Sequence, residues 1–161
     1  MPYGVCILMG AILKAHGETR RRVWAANSFE ELPKPDGRYR EDDGGHYWLS
    51  ADALAVSLED SPVAFVRYGL PAGPVALPKR WTRHTQPTAP VGAMAILRMD
   101  GSAVGALDAP YSEVSPGGYV GVDNYHSISV SPQVVEDHRA WCGVVHPIQQ
   151  ITGPGVFWRL L

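Results

Sequence analysis

His138, Cys142 and His146 stand four residues apart, a spacing that on a helix would stack three nitrogen and sulfur donors on one face, as a zinc site requires. Gly143, Val144, Val145 and Pro147 oppose a helix there, and no fourth ligand accompanies the three, so the sequence assigns neither a metal nor any other cofactor. Cys6 could be a nucleophile if a nearby imidazole or helix start lowered its pKa. Flanked by Val5, Ile7 and Leu8, it reads more simply as a core residue. Asp123 and His126 lie close enough in sequence to orient each other across a turn, or to be plain surface turn residues. Arg20, Arg21 and Arg22 could face an acidic partner or line a solvated loop.

These residues must be positioned by elements that the sequence punctuates unevenly. Residues 3–13 are apolar and fit a buried strand or a short helix. Pro33 to Gly37 and Glu41 to Gly45 form a polar break. Ser50 to Asp60 reads as a helix with Ser50 at its N-terminus, ending near Pro62. Val63 to Tyr68 is a strand or a continuation of that helix, and the proline-rich stretch from Gly69 to Pro90 is an irregular connection. Further on, Val91–Met99 and Ser102–Leu107 flank Asp100-Gly101, which suits a two-residue hairpin turn. Tyr119–Val122 and His126–Val130 flank Asp123-Asn124-Tyr125 in the same way, and Gly155–Leu161 reads as a last strand. Helical material early and strands late predict an α+β fold, an early helix packed on a roughly five-stranded antiparallel sheet.

The chain has 161 residues, enough for one ordinary domain. Apolar residues are 45% and charged residues 19%, which supports a packed core, and 17 Gly and 14 Pro imply many turns. A net charge of −2 argues against nucleic acid as a partner, because phosphate affinity is built from clustered Lys and Arg. The longest apolar run, Val5 to Leu13, falls short of the roughly 20 residues that span a bilayer. No secretory signal is read at the start, since the basic residues follow the apolar stretch. Two cysteines make no disulfide framework, so the cytoplasm is the expected compartment at synthesis.

Residues 80–161 carry a resemblance. Arg80-Trp81-Thr82-Arg83-His84, Ala89 to Leu97, Gly117-Gly118-Tyr119-Val120-Gly121-Val122, His126 to Val130 and Val156-Phe157-Trp158-Arg159-Leu160 resemble, in that order, the second half of the NlpC-type and CHAP-type cysteine peptidases and amidases. Upstream, Tyr47-Trp48-Leu49-Ser50-Ala51 is similar to the helix start that holds that family's nucleophile. The resemblance implies a papain-like domain over residues 46–161 preceded by an N-terminal extension, 1–45. It also implies a binding groove that includes Trp48, Trp81, Gly118 and Tyr119, and peptidoglycan or the other proteins of a phage-like particle as partners.

The position matching the nucleophile is Leu49, beside Ser50, and the position matching the catalytic histidine is Tyr119. The third polar position falls at Ser131-Pro132. A thiolate mechanism needs a cysteine within reach of an imidazole, and a tyrosine with an ordinary pKa near 10 is a poor base at neutral pH. The resemblance therefore implies a catalytically inactive relative of the peptidoglycan amidases, a tail-associated or cell-wall-binding module made in the cytoplasm and then incorporated in a virion or released. Two alternatives remain open. One is an active hydrolase using Cys6, with His126 or His46 as base, or Ser50 with His46. The other is an unrelated small binding or inhibitor protein.

Overall fold

In the computed structural model, residues 4–26, 65–70, 75–77, 94–100, 107–151 and 153–160 are described. The first helix, α1 (Gly4–Ala15), settles the ambiguity of the early apolar run. It stops where Gly17 takes a φ of +65°. There the Glu18 amide donates to the Leu13 carbonyl at 2.9 Å and the Gly17 amide to that of Lys14 at 3.0 Å, the bond pair by which a left-handed glycine closes a helix. Phe65 and Leu70 are buried, with Cys6 and Ile7 of α1 packed on them, and Lys14 Nζ donates to the Gly69 carbonyl at 2.8 Å. Strands β1 (Trp24–Ala26) and β2 (Val75–Leu77) pair in parallel. These elements belong to one compact unit, Met1–Pro33 with His46–Trp81; Lys34–Gly45 and Thr82–Leu161 make up the second.

The second unit holds β3 (Met94–Asp100), the short α2 (Asp108–Tyr111), β4 (Val114–Asp123), α3 (Ser131–Trp141), β5 (Gln149–Gln150) and β6 (Val156–Arg159). Among the described residues its sheet has four strands in the order β3-β4-β6-β5. β3 and β4 run parallel, and β6 is antiparallel to both β4 and β5. Side chains alternate as the pleat demands. Val120 and Val122 of β4 and Val156 and Trp158 of β6 are fully buried, in one cluster with Leu107, Tyr125 and the α3 residues Val134 and Val135. Tyr119, Phe157 and Arg159 take the other face.

This mixed sheet corrects the expected five-stranded antiparallel one. Beyond Asp100 the chain pairs β4 with β3 in parallel. It reaches β4 through residues 101–113, and a parallel pair requires such a crossover. Residues 101–106, on which the expected return arm largely falls, lie outside the described residues. The expected hairpin at Asp123-Asn124-Tyr125 is absent. The amides of Ser127 and Ile128 donate to the Asn124 carbonyl at 2.9 and 3.1 Å, so 126–130 is a turn leading into α3. Pro132 sits in the first turn of that helix, where its missing N–H costs nothing. The alternation His-Ser-Ile-Ser-Val imitates a strand, but the Ser-Pro that follows it marks a helix start. The last strand does lie within 155–161, inserted between β4 and β5. The helix expected at Ser50–Asp60 lies outside the described residues.

Candidate active site

Two apolar strands each end in an aspartate. Asp100 closes β3, Asp123 closes β4, and the parallel register sets them directly opposite each other. In sheets of parallel strands, ligands bind beyond the carboxyl ends, where the connections diverge and backbone groups are left open. Arg98, two residues before Asp100 and on the same side of the pleat, makes an ion pair with Asp123. Asn124 follows with a φ of +55°, a left-handed conformation that asparagine tolerates better than most residues. Its Nδ2 donates to Asp100 Oδ2 at 3.0 Å. Gly155 approaches from the other side, so that a Cβ there would stand 3.7 Å from Asp123 Oδ1.

Two carboxylates and an amide oxygen form a set of hard donors, the kind that Mg²⁺ and Ca²⁺ prefer. A carboxylate here can also accept a proton from a hydroxyl. Among the described residues, no group of three or more His, Cys, Asp or Glu comes together.

The residues singled out from the sequence are scattered. Tyr119 is 42% exposed, 6.2 Å from the Phe157 ring, with the Arg159 guanidinium 5.9 Å from its centroid. Tyr119 and Gly118 line a shallow hollow of about 280 Å³ with Ala95, Ile96, Ser115, Pro116 and Gly117, at the amino end of β4. Gly118 serves packing, since a Cβ would lie 2.8 Å from both the Ser115 carbonyl oxygen and Val114 Cγ1. His126 is exposed; its Nε2 donates to Gln150 Oε1 at 3.0 Å, so its observed partner is Gln150 rather than Asp123. Cys6 lies on α1. His46, Trp48, Leu49, Ser50 and Trp81 lie outside the described residues. Of the His138, Cys142 and His146 series, α3 brings only the first two together, Sγ to Nε2 at 3.5 Å, because the helix ends at Trp141.

Sequence reading passed over Asp100 as a turn residue and Asp123 as a partner for His126. The missed signal is a repeated pattern, Ile96-Leu97-Arg98-Met99-Asp100 and Val120-Gly121-Val122-Asp123, an apolar strand halted by an aspartate.

A sheet of this kind is shared with a methyltransferase. The structure of the O-methyltransferase NovP superposes with a TM-score of 0.83 at 36% identity, covering 99% of this chain and 68% of that one. The profile of the family described as Macrocin-O-methyltransferase (TylF) matches residues 3–160, and the chain belongs to that family. It is 39% identical to the 8-demethyl-8-(2,3-dimethoxy-alpha-L-rhamnosyl)-tetracenomycin-C 4'-O-methyltransferase of Streptomyces olivaceus over 97% of its own length and 61% of that protein's. It is 36% identical to the Mycinamicin III 3''-O-methyltransferase of Micromonospora griseorubida, again over 97% of this chain and 64% of the relative. The chain thus spans a little over three fifths of the curated relatives it matches.

These matches overturn the peptidase resemblance. The papain-like NlpC/CHAP fold is replaced by a methyltransferase fold, and the inactive peptidoglycan amidase, the cell-wall module and the phage tail component fall with it. The short motifs misled because they describe strand physics. Gly117-Gly118-Tyr119-Val120 is what a strand needs where two backbones approach closely, whatever the family.

Proposed function

We propose that this chain carries the acceptor-side carboxylates of an O-methyltransferase that methylates a hydroxyl group of a glycosylated small molecule. The observation that carries the reading is the family match over residues 3–160. The pairing of Asp100 with Asp123 at the carboxyl ends of parallel strands supports it, and a rhamnosyl group figures in the name of one relative.

In such a transfer the hydroxyl oxygen forms a bond to a methyl carbon, the bond from that carbon to the donor breaks with its electron pair leaving on the donor, and the hydroxyl proton passes to a base. Asp100 and Asp123 are carboxylates at this end of the sheet able to take that proton or to hold the acceptor oxygen in place. Arg98 fixes the Asp123 carboxylate, and Asn124 fixes that of Asp100. If a divalent cation is required, Asp100, Asp123 and Asn124 Oδ1 would hold it, and it would polarise the acceptor oxygen.

The test is transfer of a labelled methyl group to rhamnosylated aromatic polyketides by the full chain, with and without Mg²⁺. A product heavier by one methylene, formed by the parent and lost in Asp100→Asn, is expected. Absence of any methylated product with such acceptors under both conditions overturns the reading.

A further inference from the structure

At the far end of α3 stands a pair of groups that methyl transfer does not use. Cys142 follows His138 by one helical turn, so the two side chains share a face, and Sγ lies 3.5 Å from Nε2. The imidazole is buried, with its ring edge-on to Tyr111 at 4.6 Å between centroids. The thiol is exposed. A fixed imidazole behind an exposed thiol is the arrangement that activates a nucleophile, the base itself being oriented by a third group. We propose that Cys142 and His138 form a reactive dyad whose function is thiol–disulfide exchange with low-molecular-weight disulfides.

The surroundings favour this use. The flanking Trp141 and Val145 are 90% and 80% exposed, the most exposed large hydrophobic residues described, and they offer an apolar seat to the organic part of such a disulfide. A Cβ on Gly143 would meet no atom within 4 Å, so the approach is open.

Tyr111 packs on the His138 ring, and α3 carries Glu136, Asp137 and Arg139 beside His138. The Tyr111 phenol is held neutral by burial. Arg139 is directed to the Trp158 ring and the His146 carbonyl and lies near Glu136. The helix C-terminus disfavours a thiolate by about two- to fivefold, and an imidazolium in contact with the sulfur offsets that. In the exchange, the Cys142 thiolate attacks one sulfur of the disulfide. A new S–S bond forms, the old one breaks, and the departing thiolate recovers the proton that His138 took from Cys142.

The experiment uses the full chain carrying Cys6→Ala, so that Cys142 is its one thiol, and follows the coloured thiolate released from dithiobis(nitrobenzoate). The native thiol should react at least about tenfold faster than the same thiol in urea, as expected where the thiolate is stabilised by its neighbours. Adding His138→Gln should bring the native rate down to the unfolded level, with circular dichroism reporting whether the variant is folded. A native rate at or below that in urea overturns the dyad, and so does a folded His138→Gln variant that reacts as fast as its parent. Where His138→Gln does not fold, the native-to-urea ratio alone decides. The readout is independent of methyl transfer.

Discussion

The two ends of β4 are built on different principles. At its amino end, Gly118 lets the strand press against β3, and a shallow hollow lies beside Tyr119. Shape dominates there, because a single methyl group at Gly118 would collide with backbone. At the carboxyl end the strand closes on Asp123 and Asn124, tied to Arg98 and Asp100, and charge dominates. The difference teaches that a glycine-rich stretch is poor testimony to a binding site, whereas two opposed carboxylates where parallel strands end are chemistry that folding alone does not call for.

Substitutions at the two ends should fail in opposite ways. Gly118→Val should be the most damaging to the fold, costing about 3 kcal/mol, because the backbone oxygen it meets cannot move aside as a side chain would; the urea midpoint would report it. An unchanged midpoint would show that the close backbone approach at Gly118 is not needed. Asp100→Asn should leave that midpoint nearly unmoved and lower methyl transfer about a hundredfold. Removing the Arg98–Asp123 pair by Arg98→Gln should alter stability by no more than about 1 kcal/mol, the usual range for ion pairs of that exposure. If it instead matched Gly118→Val, the contrast between the two ends would collapse.

A smaller effect sits in the turn. Asn124→Gly should be nearly neutral to stability, while Asn124→Val should cost about 1–2 kcal/mol, because a β-branched residue resists positive φ. Thermal melts of the two variants would check this.

The smallest effect concerns pH. Burial raises the phenol pKa of both Tyr111 and Tyr125 above the ordinary value. A raised folded-state pKa means that the fold prefers the neutral phenol. The stability due to that preference is complete below about pH 10, the unfolded value, and is lost as the pH rises through the folded values. Phenolate absorbance in Tyr111→Phe and Tyr125→Phe should therefore lose its latest-titrating component, and each variant should resist alkaline unfolding slightly better than the parent.

Local patterns were legible where physics is local. The last strand could be read from Val156 to Arg159, and the early apolar run was narrowed to strand or helix. The partners of the strands were not legible. Val91–Met99 has the composition of a strand in either direction, and Asp100-Gly101, which suits a tight turn, does not fix which strand pairs with β3. His126 to Val130 alternates like a strand, yet the amides of Ser127 and Ile128 donate to the Asn124 carbonyl, that of His126 donates to the Pro154 carbonyl, and the chain enters α3. The peptidase resemblance rested on motifs of this local kind and inherited their ambiguity.

The sequence by itself determined the apolar periodicity of β4 and β6, the glycine that ends α1, the proline that starts α3 and the placing of an aspartate after each of two apolar runs. Only the tertiary structure decided that those runs lie side by side and parallel, which turns two separate aspartates into one opposed pair. The reason is that strand direction is set by the crossover between strands and by the face each must bury against α3. Those are non-local terms, and no short motif contains them.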